Sequence, residues 1–198
     1  PGAHGRLTLG ETICDYDARL RAKDGSIRHV QINSNVQRRE GEFITTRCFS
    51  RDVTAQKQAE ADRDAIYRIT TLLGAELELD KVVQTLTSEA KRLCDAEACV
   101  FRLVPGNAGI TRVGDVTTNP LVTLAPFGPD TSVRSYLSVP VLGRAGSGLG
   151  VLYLSHSTPG KFTERQERLL SAIAAQAAGA LENARLYEAE RTARATAE

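Results

Sequence analysis

Residues 133–156 read VRSYLSVPVLGRAGSGLGVLYLSH. Val133, Leu137, Val139 and Val141 share one side of an extended chain, which predicts a strand over Val133–Val141. Gly146 to Gly150 reads as a turn and Leu149 to Ser155 as a second strand, so the two form an antiparallel hairpin. Gly146, Gly148 and Gly150 lie between two strands and not before a helix, which excludes a phosphate-cradling glycine loop. Pro159-Gly160 closes the second strand. Thr163-Glu164-Arg165-Gln166 has the form of a capping box. The helix it opens places Leu169, Leu170, Ile173, Ala177, Leu181 and Ala184 on one side and runs on through Tyr187.

Towards the N-terminus, Ala98–Val104 reads as a strand ended by Pro105-Gly106. Residues 107–132 are rich in Gly, Pro, Thr and Asn and receive no element. Leu77–Cys94 is helical by the spacing of Leu79, Val82, Val83, Leu86, Ala90 and Leu93, with Asp80 as its cap. A further helix runs from about Ala55 to Leu73 and stops at Gly74. Ala55, Ala59, Asp62, Ile66, Ile69 and Leu73 fall in a heptad seam, which Asp62 interrupts. The seam predicts a dimeric helix pair built on Ile66, Ile69 and Leu73, with Leu181 of the last helix; the competing reading is one amphipathic helix packed on its own domain. Before it, residues 13–21 and 27–37 alternate, Phe43–Phe49 reads as a third strand, and Lys23-Asp24-Gly25-Ser26 and Arg38-Arg39-Glu40-Gly41-Glu42 separate them. That is an antiparallel meander of strands. Asp52 and Thr54 read as the start of the connecting helix.

Two resemblances follow from these residues. The run YDARLRAKDGSIRHVQINSNVQRREGEFITTRCFSRDVTAQKQAE is similar to the C-terminal half of a PAS domain, through Lys23-Asp24-Gly25, Gly41-Glu42-Phe43 and Arg51-Asp52-Val53-Thr54. The resemblance implies that Asp52 and Thr54 relay a signal from sheet to helix. Ala65 to Tyr187 resembles a GAF domain, chiefly in residues 133–156, in GKFTERQERLLSAIAAQAAGALENARLYE and in VGDVTTNP. The segment between Val100 and Val133 is shorter than that family usually has. The expected fold class is α+β: a partial PAS-like antiparallel unit (1–53), a connecting signalling helix (54–74), a GAF-like α/β/α-layered antiparallel sheet domain (75–187) and the start of an output helix (188–198).

Lys and Arg total 25 against 24 for Asp and Glu, a net charge of +1. No charge excess argues for nucleic acid or a membrane surface. No apolar run approaches the ~18 residues of a membrane span. Pro1-Gly2-Ala3-His4-Gly5 reads as a cut end. Cys14, Cys48, Cys94 and Cys99 form no C-x-x-C pair and read as reduced thiols of a cytoplasmic protein. His4, His29 and His156 lack ligand spacing, so no metal site is expected, and no Ser, His and acid are expected to come together.

The resemblances do not supply a cofactor. Cys94 and Cys99 do not match the bilin-attachment position, Cys14 and Cys48 do not match the flavin-reactive one, and the cyclic-nucleotide signature Asn-Lys-Phe-Asp-Glu is absent. A GAF-like pocket would be lined by Phe101, Tyr136, Ser138 and Tyr153; alternation alone also allows these to pack under the helices. The expected function is a non-enzymatic sensory module, homodimeric through its helices. It would take a small molecule and act on a C-terminal output domain, a histidine kinase of a two-component system above others. The alternatives are a ligand-free dimerisation module and a thiol-dependent reductase.

Overall fold

The computed structural model describes residues 12–104, 108–118, 127, 132–144 and 146–197. The Pro1–Gly5 opening, the Pro105-Gly106 stop and much of 107–132 lie outside them. The chain divides into two compact units, Pro1–Arg63 and Asp64–Glu198. The division falls inside the helix expected to form a separate connector, so each half of that helix is counted with its own unit.

The first unit holds β1 (Ile13–Arg21), β2 (Ile27–Arg39) and β3 (Glu42–Asp52), antiparallel in the order β1-β2-β3. The expected meander is present, with β3 longer than the expected Phe43–Phe49. The second turn is the two residues Glu40 and Gly41, both at positive φ (52° and 89°). This is the mirror-image turn whose twist matches paired strands. On β2, Val30 and Ser34 are buried and Ile32 and Val36 half-buried, which is the predicted face.

The helix α1 (Thr54–Gly74) starts by a device that the sequence did not reveal in full. Lys57 N–H donates to the Val53 carbonyl at 2.9 Å, so Val53 holds the cap position. Asp52 Oδ1 accepts the Thr54 N–H at 2.9 Å. The Thr54 hydroxyl instead turns to β2, accepting from His29 N–H at 2.8 Å and donating to the His29 carbonyl at 3.4 Å. Asp52 and Thr54 thus fasten the helix start to a strand, and neither is the cap residue itself.

The second unit contains the later half of α1, α2 (Leu79–Cys94), β4 (Ala98–Arg102), β5 (Thr111–Val113), a 3-10 turn (Val116–Thr118), β6 (Ser135–Leu142), β7 (Gly148–His156) and α3 (Glu164–Ala197). Its sheet is antiparallel in the order β4-β7-β6-β5. The expected hairpin is β6–β7. The strand β5 was missed, because three residues are too few for alternation to register. The cap of α2 is Glu78, not Asp80, which lies in the first turn. The capping box of α3 forms as predicted: Thr163 N–H donates to Gln166 Oε1 at 3.0 Å and Arg165 N–H to Thr163 Oγ1 at 3.3 Å.

One face of this sheet meets the helices. Leu137, Val139, Val141, Leu152 and Leu154 join Ile69 and Leu73 of α1, Val82, Leu86 and Ala90 of α2, and Leu169, Leu170, Ile173, Ala177 and Leu181 of α3 in one core. Full burial of each large aliphatic side chain contributes about 1.5–3 kcal/mol. The opposite side carries no second helical layer among the described residues, where the α/β/α expectation required one.

The dimer seam needs correction. Ile69 is 0 % exposed, Leu73 1 % and Leu181 1 %, all within the core of their own chain, and Ile66 packs against that core. The steps of three and four mark the face that α1 turns towards its own sheet and helices. An intermolecular seam and an intramolecular core impose the same period, so spacing could not separate them.

Candidate functional site

In antiparallel pairs, directly opposed residues point to the same side of the sheet. Ser138 opposes Tyr153 and Thr111, and Tyr136 opposes Ser155 and Val113. These side chains therefore occupy the face away from the core that contains Leu137, Val139, Leu152 and Leu154. Three of the four expected ligand residues, Tyr136, Ser138 and Tyr153, come together there. The fourth does not. Phe101 opposes Leu152, points to the helical side and packs against the core. Its ring lies over Gly150, where an added Cβ would fall 2.5 Å from Phe101 Cζ.

The Tyr136 and Tyr153 rings stand 6.1 Å apart at 37°, and Phe127 meets Tyr136 edge-on at 6.2 Å and 86°. Both separations are within the range of favourable aromatic pairs. Tyr136 is 6 % exposed and Ser138 5 %. Burial pushes the Tyr136 phenol up, and its hydrogen bond to Ser138 acts in the opposite sense. The phenol is therefore neutral at pH 7 and offers a hydroxyl, not a charge. Phe127 belongs to a segment without hydrophobic period, so no sequence signal tied it to the hairpin.

A fork beside this face also escaped the sequence. Arg134 Nε and Nη2 donate to Asp115 Oδ1 and Oδ2 at 3.1 and 2.6 Å. Asp115 Oδ1 further accepts the Thr117 N–H and hydroxyl at 3.0 and 2.7 Å. Backbone bonds continue the link: Val116 N–H to the Arg134 carbonyl at 2.8 Å, and Arg134 N–H to the His156 carbonyl at 2.9 Å. The hydrogen bonds from Arg134, followed by those from Thr117, hold the Asp115 carboxyl far below its usual range. A depressed carboxyl stabilises the fold above its unfolded value, about pH 4, and loses that contribution as pH falls through the folded value. Asp115→Asn is therefore expected to lower the melting temperature by a constant amount above about pH 5 and by progressively less below about pH 4. Thermal melts of both proteins across pH test this; a gap that widens in acid contradicts it.

A serine, a histidine and an acid do approach one another, contrary to expectation. Ser135 opposes His156 across the β6–β7 ladder, and His156 Nε2 lies 3.6 Å from Glu97 Oε1. His156 Nδ1 accepts the Thr158 N–H at 2.9 Å. With one imidazole nitrogen on the backbone and the other towards Glu97, neither is left to activate the hydroxyl. Ser135 Oγ is buried without a hydrogen-bond partner. This is not the geometry of an activated nucleophile. Cys99 does not provide one either: burial, then the neighbouring Cys94, push its thiol up to about 12, which leaves almost no thiolate at neutral pH.

The helices on one face of an antiparallel sheet, with a buried aromatic and hydroxyl face opposite, define a GAF-like α/β fold. A family model described as GAF domain matches residues 109–182. Among solved structures, the GAF domain of a phosphoenolpyruvate-protein phosphotransferase from Acinetobacter is 17 % identical, with a TM-score of 0.53, covering 64 % of this chain and 95 % of that one. Free methionine-R-sulfoxide reductase from Neisseria meningitidis is 18 % identical, with a TM-score of 0.54 over 66 % and 93 %. The GAF domain of a proposed sensor histidine kinase from Pseudomonas syringae pv. tomato is 18 % identical, with a TM-score of 0.50 over 70 % and 98 %. At these identities the likeness is one of fold. No curated protein matches the sequence. The family model and the solved structures thus agree on a GAF-like fold. No helix among the described residues is long and apolar enough to cross a membrane.

Proposed function

We propose that this chain is a sensory module of bacterial signal transduction. The sheet face of Tyr136, Ser138 and Tyr153 takes a small molecule, and α3 passes the change to an output domain, a histidine kinase of a two-component system. The observation that carries this reading is the burial of Tyr136 and Ser138, beside the half-buried Tyr153, on the sheet face away from the helical core. Such a mixture of apolar surface and a few polar groups is typical of small-molecule sites. Asp115 compensates Arg134 beside it, so the chemistry favours an uncharged, flat ligand over an anion.

Further parts of the reading rest on the first unit and on the helices. The turns and exit residues of β1–β3 support a PAS-like role, and the bonds from Asp52 and Thr54 to the start of α1 suit a relay. A homodimer would use faces the core leaves open: Tyr67 and Leu72 on α1 are 74 % and 52 % exposed, and Leu186 and Tyr187 on α3 are 70 % and 41 % exposed. The module belongs in the cytoplasm on this reading, where its cysteines stay reduced. The burial of Cys94 and the raised Cys99 thiol speak against a thiol-dependent reductase.

A second reading has its own support. The contacts of Phe127, Tyr136 and Tyr153 with one another suit a face filled by its own side chains, in a dimerisation module that binds nothing. Thermal melts with indole and with indole-3-carboxylate separate the two. Ligand at 100 times its Kd stabilises by about 2.7 kcal/mol. The sensory reading expects the neutral probe to raise the melting temperature, and Tyr136→Ala to abolish the rise. Failure of a panel of neutral planar heterocycles to move the melt favours the filled face.

A further inference from the structure

The turn between β6 and β7 is tied to α3 by side chains that core packing does not require. Glu182 Oε1 accepts the Arg144 N–H at 3.0 Å, and Arg185 Nη2 donates to the Leu149 carbonyl at 3.4 Å. Within the turn, Gly143 N–H donates to the Ser147 carbonyl and Gly146 N–H to the Gly143 carbonyl, both at 2.9 Å. Gly143 gives the carboxylate its place: a Cβ there would stand 2.2 Å from Glu182 Oε1. The Arg144 guanidinium adds little, since its side chain is 85 % exposed and 3.7 Å away. The stronger element is the backbone N–H bond to an ionised carboxylate that is 25 % exposed.

The position of this contact gives it meaning. Ala184 is the last buried residue of α3, and every residue from Leu186 to Ala195 is exposed. Glu182 and Arg185 therefore tie the helix to the hairpin where it leaves its core. That hairpin carries Tyr136, Ser138 and Tyr153 on its other face. We propose that Glu182 and Arg185 form a latch through which the β6–β7 hairpin holds or releases the outgoing end of α3. The assignment of a signal to this latch rests on the proposed sensory face; the latch itself does not.

Hydrogen exchange on the whole chain, without any ligand, tests it. Glu182→Ala is expected to speed exchange about tenfold both in the turn 143–148 and in 186–190 of α3, with the sheet strands unchanged. Gly143→Ala should do the same, because its methyl displaces the flexible carboxylate. Glu182→Gln keeps an acceptor for the Arg144 N–H and should stay near the parent. The double variant of Gly143→Ala with Glu182→Ala should exchange no faster than either alone. Faster exchange confined to the turn overturns the proposal, since a local staple behaves in that way. Should Glu182→Ala lose protection throughout β4–β7, Gly143→Ala decides by the same criterion. Because no ligand enters, this result is independent of whether the sheet face binds one.

Discussion

Leu181→Asp is expected to unfold the second unit, not to convert a dimer into folded monomers. Leu181 is 1 % exposed and sits among the buried residues of α1, α2, α3 and the sheet. Truncating a buried leucine costs about 2–5 kcal/mol. A carboxylate left in that place adds a desolvation cost of several kcal/mol unless it takes up a proton. The sum rivals the whole stability of a domain, about 5–15 kcal/mol. Far-UV circular dichroism should show lost structure and no cooperative melt above room temperature. Leu186→Asp is the control: at 70 % exposure it should change folding by no more than about 0.5 kcal/mol in the monomer. A Leu181→Asp protein that stays folded with the parent's melting temperature refutes the core assignment.

Gly150→Ala is expected to be the most costly of the methyl additions considered. The new Cβ would lie 2.5 Å from Phe101 Cζ and 2.6 Å from the Arg102 carbonyl oxygen. The ring can tilt, but that carbonyl belongs to β4, whose Arg102 is paired with Val151 in the ladder. Overpacking of this kind costs about 1–3 kcal/mol, which corresponds to a fall of roughly 2–12 °C in melting temperature for a domain of this size. Adding Phe101→Leu should recover part of the loss and not all of it, because the carbonyl stays. Gly143→Ala is the contrast, since its methyl meets the far ends of the Glu182 and Ser147 side chains and no backbone, and should lower the melt only by the loss of the Glu182 bond to the turn. Equal melting of Gly150→Ala and the parent would show that β4 and β7 can separate there and that Phe101 does not press on Gly150.

The order of elements was legible because each has a strong local cause. Alternation gave β1, β2 and β6, the glycines after β6 announced β7, Thr163 and Gln166 announced α3, and Gly74 marked the end of α1. The elements that escaped have weak local causes. The strand β5 exists by pairing with β6, and the Asp115–Arg134 fork joins residues that only folding brings together. Three of the four expected site residues share a face because Tyr136 and Ser138 are two apart on one strand and the ladder places Tyr153 opposite Ser138. Phe101 could not be assigned, since its face depends on the register of β4 against β7.

By itself, the amino-acid sequence determined where the chain is extended, where it is helical, and which side of each element is apolar. Those properties follow from neighbours within a few residues. Tertiary structure decided what each apolar side meets. Ile69, Leu73 and Leu181 have the spacing of a seam, yet their partners lie in their own core, because burial rewards any apolar surface alike and carries no label for the chain that supplies it.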